Sequence, residues 1–314
     1  MIEYYKTLNN SIKKIDGPEK NCWINVVSPT HEEVDFLIDE IKVLPEFVKA
    51  SLDEEESSHI DKDEDEKQTL IIVDYPNADD SQKENENTLL FTTLPLGVVI
   101  MEDYVVTISL YENLNIEDMA AGRVRGLQTE MKSRFLLLLL LRISQRFLIY
   151  LRQIDRLSSK TEKILHASMK NKELIQMLGL EKSLVYFSTS LKSDEVTLNK
   201  IMRGKFIKLY EEDQELLEDV MIEIHQAIEM CNIYSNILSG TMDAFASVIS
   251  NNLNIVMKTL TVITIVMSIP NIVFSFYGMN VIDLPFPTWY VPFGISVFIC
   301  LIAIWIFKKK DMFQ

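Results

Sequence analysis

Histidine, cysteine, glycine and proline are all scarce here: four, three, nine and nine residues in 314. Cys22, Cys231 and Cys300 lie far apart and form no C-x-x-C pair. Neither a disulfide framework nor a cysteine zinc site is expected, and a reducing environment is the default. His31, His59, His166 and His225 have no paired spacing, so they are read as surface or structural residues rather than metal ligands. No glycine-rich phosphate loop and no G-x-S-x-G elbow occurs, and no Ser, His or acid stands out as a nucleophile; the chain does not read as an enzyme and implies no cofactor. Positive charge is in the minority. Thirty-one Lys and Arg against 46 Asp and Glu give a net charge of −15, which excludes the basic face that nucleic-acid binding requires. The N-terminus lacks the apolar core of a signal peptide, so most of the chain is expected in the cytosol.

What the chain does have is two uncharged runs, residues 259–277 and 289–307, each of 19 residues. A helix needs about 20 apolar residues to cross a bilayer, so two membrane spans are expected, over about 255–277 and 289–307. The shorter apolar run at 135–141 is flanked by Arg134 and Arg142 and reads as the buried face of a soluble helix. Lys308, Lys309 and Lys310 follow the second span, whereas 278–288 contains no Lys or Arg. The positive-inside rule then puts both termini in the cytoplasm of a multi-pass protein of the cell membrane.

The first 112 residues have an α/β pattern. Residues 22–27, 69–74, 89–93, 96–101 and 104–110 are strand candidates, and Ser28 with Pro29 reads as a helix start. Beyond residue 116 the strand signals vanish. The expected division is an α+β cytosolic domain (1–112), long stalk helices (113–250) and a membrane pore region with two C-terminal spans (251–314). Residues 53–66 hold nine acids and one lysine. An EF-hand is rejected there, because Glu66 stands where the loop glycine must be and Ile72 where the bidentate acid must be; the run reads as a solvated loop.

The first span is not uniformly apolar. Asn254, Met257, Thr261, Thr264, Ser268, Asn271, Ser275 and Gly278 recur at alternating steps of three and four, so they share one helix face; Thr259 falls off it. Two readings follow. Small and hydroxyl residues line tight helix–helix interfaces in membranes. Alternatively the stripe faces water, since the amides of Asn254 and Asn271 are costly in lipid. Two spans cannot enclose a channel, so a water-facing stripe implies a ring of identical subunits.

Tyr277-Gly278-Met279-Asn280 at the end of the first of two C-terminal spans, the lysines after the second, the stretch 254–261 and Trp23-Ile24-Asn25 together resemble the CorA family of magnesium transporters. The likeness is strongest over 239–314. It implies a funnel-shaped homopentamer in the lipid bilayer with Mg2+ as substrate and as regulatory ligand. It also implies a pore lined by Asn254, Met257, Leu260 or Thr261, Thr264, Ser268, Asn271, Ser275 and Gly278. Selection of the ion falls to Tyr277, Gly278, Met279 and Asn280, with Asp283 the one acid of the outer loop. Hydrated Mg2+ can be held through its water hydrogens by carbonyl oxygens, without a carboxylate. Three departures stand out: Ser268 replaces a pore methionine, Pro270 comes one position late, and Ala50 occupies the place of a regulatory acid. The matched regulatory acid is Asp219, and Asp53 and Glu54 are the nearest substitutes for its partner. Zinc, cobalt or nickel transport on the same fold is the alternative, with a non-transporting membrane scaffold or sensor behind it.

Overall fold

The computed structural model describes residues 1–79, 90–168, 171–204, 206–207, 209–279, 288 and 290–310, and the chain divides into two compact units, Met1–Ser239 and Gly240–Gln314. The first unit is built on one seven-stranded sheet. Strands β1 (Ile2–Leu8), β2 (Ser11–Ile15), β3 (Cys22–Val27), β4 (His59–Asp63), β5 (Gln68–Asp79), β6 (Leu90–Ile100) and β7 (Tyr104–Ser109) lie in the order β2-β1-β3-β7-β6-β5-β4. Every neighbouring pair is antiparallel except β3 and β7, which run parallel with Cys22 opposite Tyr104 and Val27 opposite Ser109.

Both faces of β3 are covered, which is why it reads as a nearly continuous apolar run, interrupted by Asn25, rather than an alternating one. Cys22, Ile24 and Val26 join Leu37, Val43, Phe47, Leu70, Ile72, Val99 and Val106 in the core on one face. That face is closed by α1 (His31–Asp39) and α2 (Pro45–Ser51). Trp23 points to the other face, fully buried between the rings of Tyr5 (5.0 Å) and Phe135 (5.2 Å). Its indole Nε1–H donates to Thr107 Oγ1 at 2.8 Å, and Thr107 donates to Asn25 Oδ1 at 3.0 Å. Trp23 and Asn25 are thus tied to β7 across the one parallel pairing.

Helices α3 (Leu114–Ala120), α4 (Lys132–Ser168) and α5 (Asn171–Met202) follow, then a 3-10 turn at Glu211–Asp213, α6 (Gln214–Tyr277) and α7 (Tyr290–Lys309). The architecture is therefore a mixed-sheet α+β domain, long helices and two C-terminal apolar helices. Residues 135–140 of α4 are all buried, as the short apolar run between arginines anticipates. In the second unit, Gly240–Gln314, lie the end of α6 and all of α7; both helices are long and apolar enough to cross a bilayer.

Three local expectations are corrected. The cap of α1 is Thr30, not Ser28. Thr30 Oγ1 accepts from the Glu33 amide at 3.3 Å and Glu33 Oε2 accepts from the Thr30 amide at 2.9 Å, a complete capping box. Ser28 instead takes a left-handed φ of 44° and gives its amide to Ser109 at 2.9 Å. The acidic run is not one loop, because residues 59–63 form β4 on the edge of the sheet, paired with β5. The two strand candidates at 89–93 and 96–101 are one strand, β6. Pro95 does not break it. Pro95 stands opposite Asp74, whose amide points away from β6 towards Ser58 and Asp194, so that pair exchanges no ladder bond and the missing proline N–H costs nothing.

Candidate functional site

Helix α6 between Asn254 and Gly278 has two unlike sides. Ile255, Thr259, Val262, Val266, Ile269, Val273 and Tyr277 are half-buried or buried, at helical spacing, and Val262 is only 1% exposed. Asn254, Met257, Leu260, Thr261, Thr264, Ser268, Asn271, Ser275 and Gly278 are all exposed. At 100° per residue the centres of the two sets lie on nearly opposite sides of the helix. Thr259, the polar residue off the stripe, belongs to the shielded side, where its hydroxyl donates to Ile255 O at 2.9 Å.

Three hydroxyls of the stripe follow one rule. Thr261 donates to Met257 O, Thr264 to Leu260 O and Ser268 to Thr264 O, each at 2.8 Å. A hydroxyl has one proton and two lone pairs. With each proton committed to the carbonyl four residues back, the surface they present is oxygen lone pairs: acceptors without donors. Such a surface suits a cation or the outward-pointing hydrogens of a hydrated cation, and it disfavours anions.

Pro270 lies inside α6. A proline has no N–H, so the carbonyl four residues back, that of Val266, loses its helical partner. Cys300 of α7 supplies a donor there, with its Sγ 3.7 Å from Val266 O. Cys300 shares the shielded face of α7 with Pro292, Ser296, Ala303 and Phe307.

At the end of α6 the Tyr277 ring meets Phe276 edge to face at 5.9 Å. The Gly278 amide still reaches Phe274 O at 2.9 Å. A Cβ on Gly278 would come to 3.1 Å from that same carbonyl, so the turn out of the helix is tight enough to favour glycine. Met279 is exposed; Asn280 and Asp283 lie outside the described residues.

The acids singled out for regulation are in the first unit. Asp219 is exposed on α6, and Asp53 and Glu54 are exposed in the turn after α2. Ala50, half-buried on α2, offers no ligand. Among the described residues no three His, Cys, Asp or Glu side chains converge on a point that could hold a metal. Sequence reasoning passed over one polar cluster altogether: Ser58, Asp74 and Asp194, buried between sheet and α5. Each of the three is unremarkable in sequence, and only the fold brings them together.

Comparison with known proteins is informative over nearly the whole chain. Residues 18–309 match the family model for the CorA-like Mg2+ transporter protein. The cobalt/magnesium transport protein CorA of Methanocaldococcus jannaschii is 29% identical over 304 residues, covering 92% of this chain and 90% of that protein. The complete structure of the CorA magnesium transporter from the same organism superposes with a TM-score of 0.82 at 25% identity, covering 98% of this chain and 97% of that one. The full-length CmaX protein shares the fold, with a TM-score of 0.72 at 17% identity over 98% of this chain and 97% of that one.

Proposed function

The chain belongs to the CorA-like Mg2+ transporter family, and from that premise we propose that it carries divalent cations, Mg2+ first, across the cell membrane through a pore lined by α6. The observation that carries this reading is the row of acceptor-only oxygens on the exposed side of α6, from Thr261 to Ser268. One chain supplies one such row. A ring of identical chains, a pentamer by family analogy, turns it into a lining with α7 outside.

Mg2+ keeps its octahedron of waters reluctantly disturbed. Carbonyl oxygens of Asn280 and of the Gly278 backbone, repeated around the ring, accept hydrogen bonds from those waters and select the hydrated ion. Tyr277 and Met279 flank this ring, and Asp283 adds charge at the outer mouth. Below it the lining continues through Ser275, Asn271, Ser268, Thr264 and Thr261 to Asn254. Met257 and Leu260, 54% and 56% exposed, form an apolar collar that closes by excluding water. No nucleotide is needed. A potential of ~100 mV, negative inside, supplies about 2.3 kcal/mol per charge, hence about 4.6 kcal/mol for a divalent ion.

In this reading residues 1–112 form a cytosolic α/β domain, 113–250 a helical stalk and 251–314 the pore region, with both termini in the cytoplasm. Cytosolic Mg2+ closes the pathway by bridging acids between neighbouring subunits, with Asp219 as one ligand and Asp53 or Glu54 in place of the acid that Ala50 lacks. Zinc, cobalt and nickel are the competing cargo. Softer metals favour Cys and His, and residues 240–277 contain neither.

Purified protein in liposomes, loaded with a fluorescent Mg2+ indicator and polarised negative inside, tests the proposal. Uptake is expected for the wild type and is expected to be lost in Asn280→Ala, while the size of the assembly by light scattering stays the same. Wild-type uptake by that variant would remove Asn280 from the selecting ring, and no uptake of any divalent cation by the wild type would leave a scaffold or sensor.

A further inference from the structure

Two carboxyl groups are buried together where α5 packs on the sheet. Asp194 of α5 is 4% exposed and Asp74 of β5 is 9% exposed. Asp194 Oδ1 accepts the Asp74 backbone amide at 2.9 Å and the Ser58 hydroxyl at 2.6 Å. The Ser58 hydroxyl also accepts the Asp74 amide at 3.1 Å. Asp74 lies two residues past Ile72, the last residue of β5 that pairs with β4, so its amide needs a partner that no strand supplies. The Asp194 side chain takes that place.

Among the described residues no cation balances the pair. Its polar surroundings are hydroxyls, Ser58 from the segment before β4 and Ser190 from α5; Ser190 also donates to Thr93 Oγ1 of β6 at 2.8 Å, and Ser193 donates to Ser58 O at 3.1 Å. One turn on, Thr197 is 1% exposed and its hydroxyl has no partner. The charged neighbours are engaged elsewhere. His59 bonds Ser57 O and lies 3.6 Å from Glu56. Glu195 of α5 and His225 of α6 pair with one another at 2.7 Å, and Arg142 and Arg146 of α4 hold Asp118. Lys192 lies near Cys231, and Tyr75 is influenced by Tyr111. Among the described residues no Lys, Arg or His bonds to Asp74 or Asp194.

We propose that the buried pair Asp74 and Asp194 retains one proton in the folded chain, and that this proton is a ligand on which the docking of α5 against the sheet depends. Two unbalanced negative charges in a space without a cation repel one another, and burial penalises each separately. With one proton present, one carboxyl of the pair is neutral and the repulsion between them is gone. Desolvation pushes both carboxyls above the usual range, and the charge of Asp74 pushes Asp194 further. In the unfolded chain the same groups release their protons near the ordinary aspartate pKa of about 3.9. The folded form therefore binds more protons than the unfolded form in the window from that value up to the raised one. Its stability is full below the window and declines as pH rises through it. Alkalinisation around the first unit thus loosens α5 from β5 and β6.

The test uses the full chain in detergent micelles, comparing wild type with Asp194→Asn, which keeps an acceptor for the Asp74 amide and Ser58 but cannot ionise. As pH is raised from about 5 to about 8, the folded-to-unfolded ratio of the wild type is expected to fall relative to the variant by up to about tenfold per pH unit within the window. This reads as a melting temperature dropping a few degrees per unit relative to the variant. Difference infrared spectroscopy at about pH 5, above the ordinary aspartate range, is expected to show the carbonyl stretch of a protonated carboxyl in the wild type and its loss in the variant. Melting curves that stay parallel across pH, or a wild type without that carboxyl band, would overturn the proposal. If Asp194→Asn does not fold, Asp74→Asn takes its place, and the wild-type infrared band decides on its own.

Discussion

A methyl group placed on Gly97 of β6 would fall 2.0 Å from Ser51 Oγ and 2.5 Å from its Cβ. Ser51 cannot turn away without loss, because its hydroxyl donates to Phe47 O at 2.7 Å and the residue is fully buried. Gly97 is thus the point at which α2 sits directly on the sheet backbone, and the absence of a side chain there sets how close the helix lies. Gly97→Ala is expected to destabilise the first unit by about 1–3 kcal/mol, the range for overpacking a close contact, read as a lowered midpoint in chemical denaturation. The same variant should leave the cation selectivity of transport unchanged, since it touches nothing on α6. Trp23, Asn25 and Thr107 show the complementary case, in which polar groups in a buried layer are satisfied by one another across β3 and β7.

At the scale of the element, the proposed pore gives each side of α6 its own role. The test is chemical labelling in a Cys300→Ser background, since Cys22 and Cys231 are buried. Single cysteines at positions 261, 264, 268 and 271 are expected to react with a small water-soluble thiol reagent under conducting conditions, and cysteines at 262, 265 and 269 are expected to be protected. Equal labelling of both sets would mean that the lining face is assigned wrongly. This element was also the most legible in sequence, because a period of 3.5 in polar and small residues survives any uncertainty about tertiary structure. Thr259, off the stripe by its spacing, lies on the shielded side, where its hydroxyl satisfies its own backbone. Long-range partners hid most of the rest. The capping box of Thr30 and Glu33 is local and open to sequence reading, whereas Ser28 is held by Ser109 from β7. The acids of 59–63 sit in an edge strand because pairing with β5 outweighs their low strand propensity. Asp74 and Asp194 are 120 residues apart, and no local pattern links them.

For the molecule as a whole, 46 acids against 31 bases make the surface a reservoir of cation-binding groups. The proposed regulation by internal Mg2+ needs few of them. Clustered like charges at surface dielectric repel by a few kcal/mol in total, and in the proposed closed ring a divalent ion bridging Asp219 to Asp53 or Glu54 of another subunit would remove that repulsion. Asp219→Ala is expected to weaken the inhibition of uptake by Mg2+ trapped on the cytoplasmic side of liposomes, shifting half-inhibition to higher concentration. Unchanged inhibition would move the sensor away from Asp219.

The thiol beneath Pro270 has a consequence for how such a chain can change over time. Pro270 withholds a proton from Val266 O, and Cys300 supplies a weak replacement at 3.7 Å. Positions 270 and 300 are therefore physically coupled, although they lie on different helices. A lineage that keeps the proline can exchange Cys300 for serine, which also donates, but pays a penalty for alanine or valine. A lineage that first replaces Pro270 with a residue bearing an amide proton is released from the constraint, and position 300 is then free to drift among apolar residues.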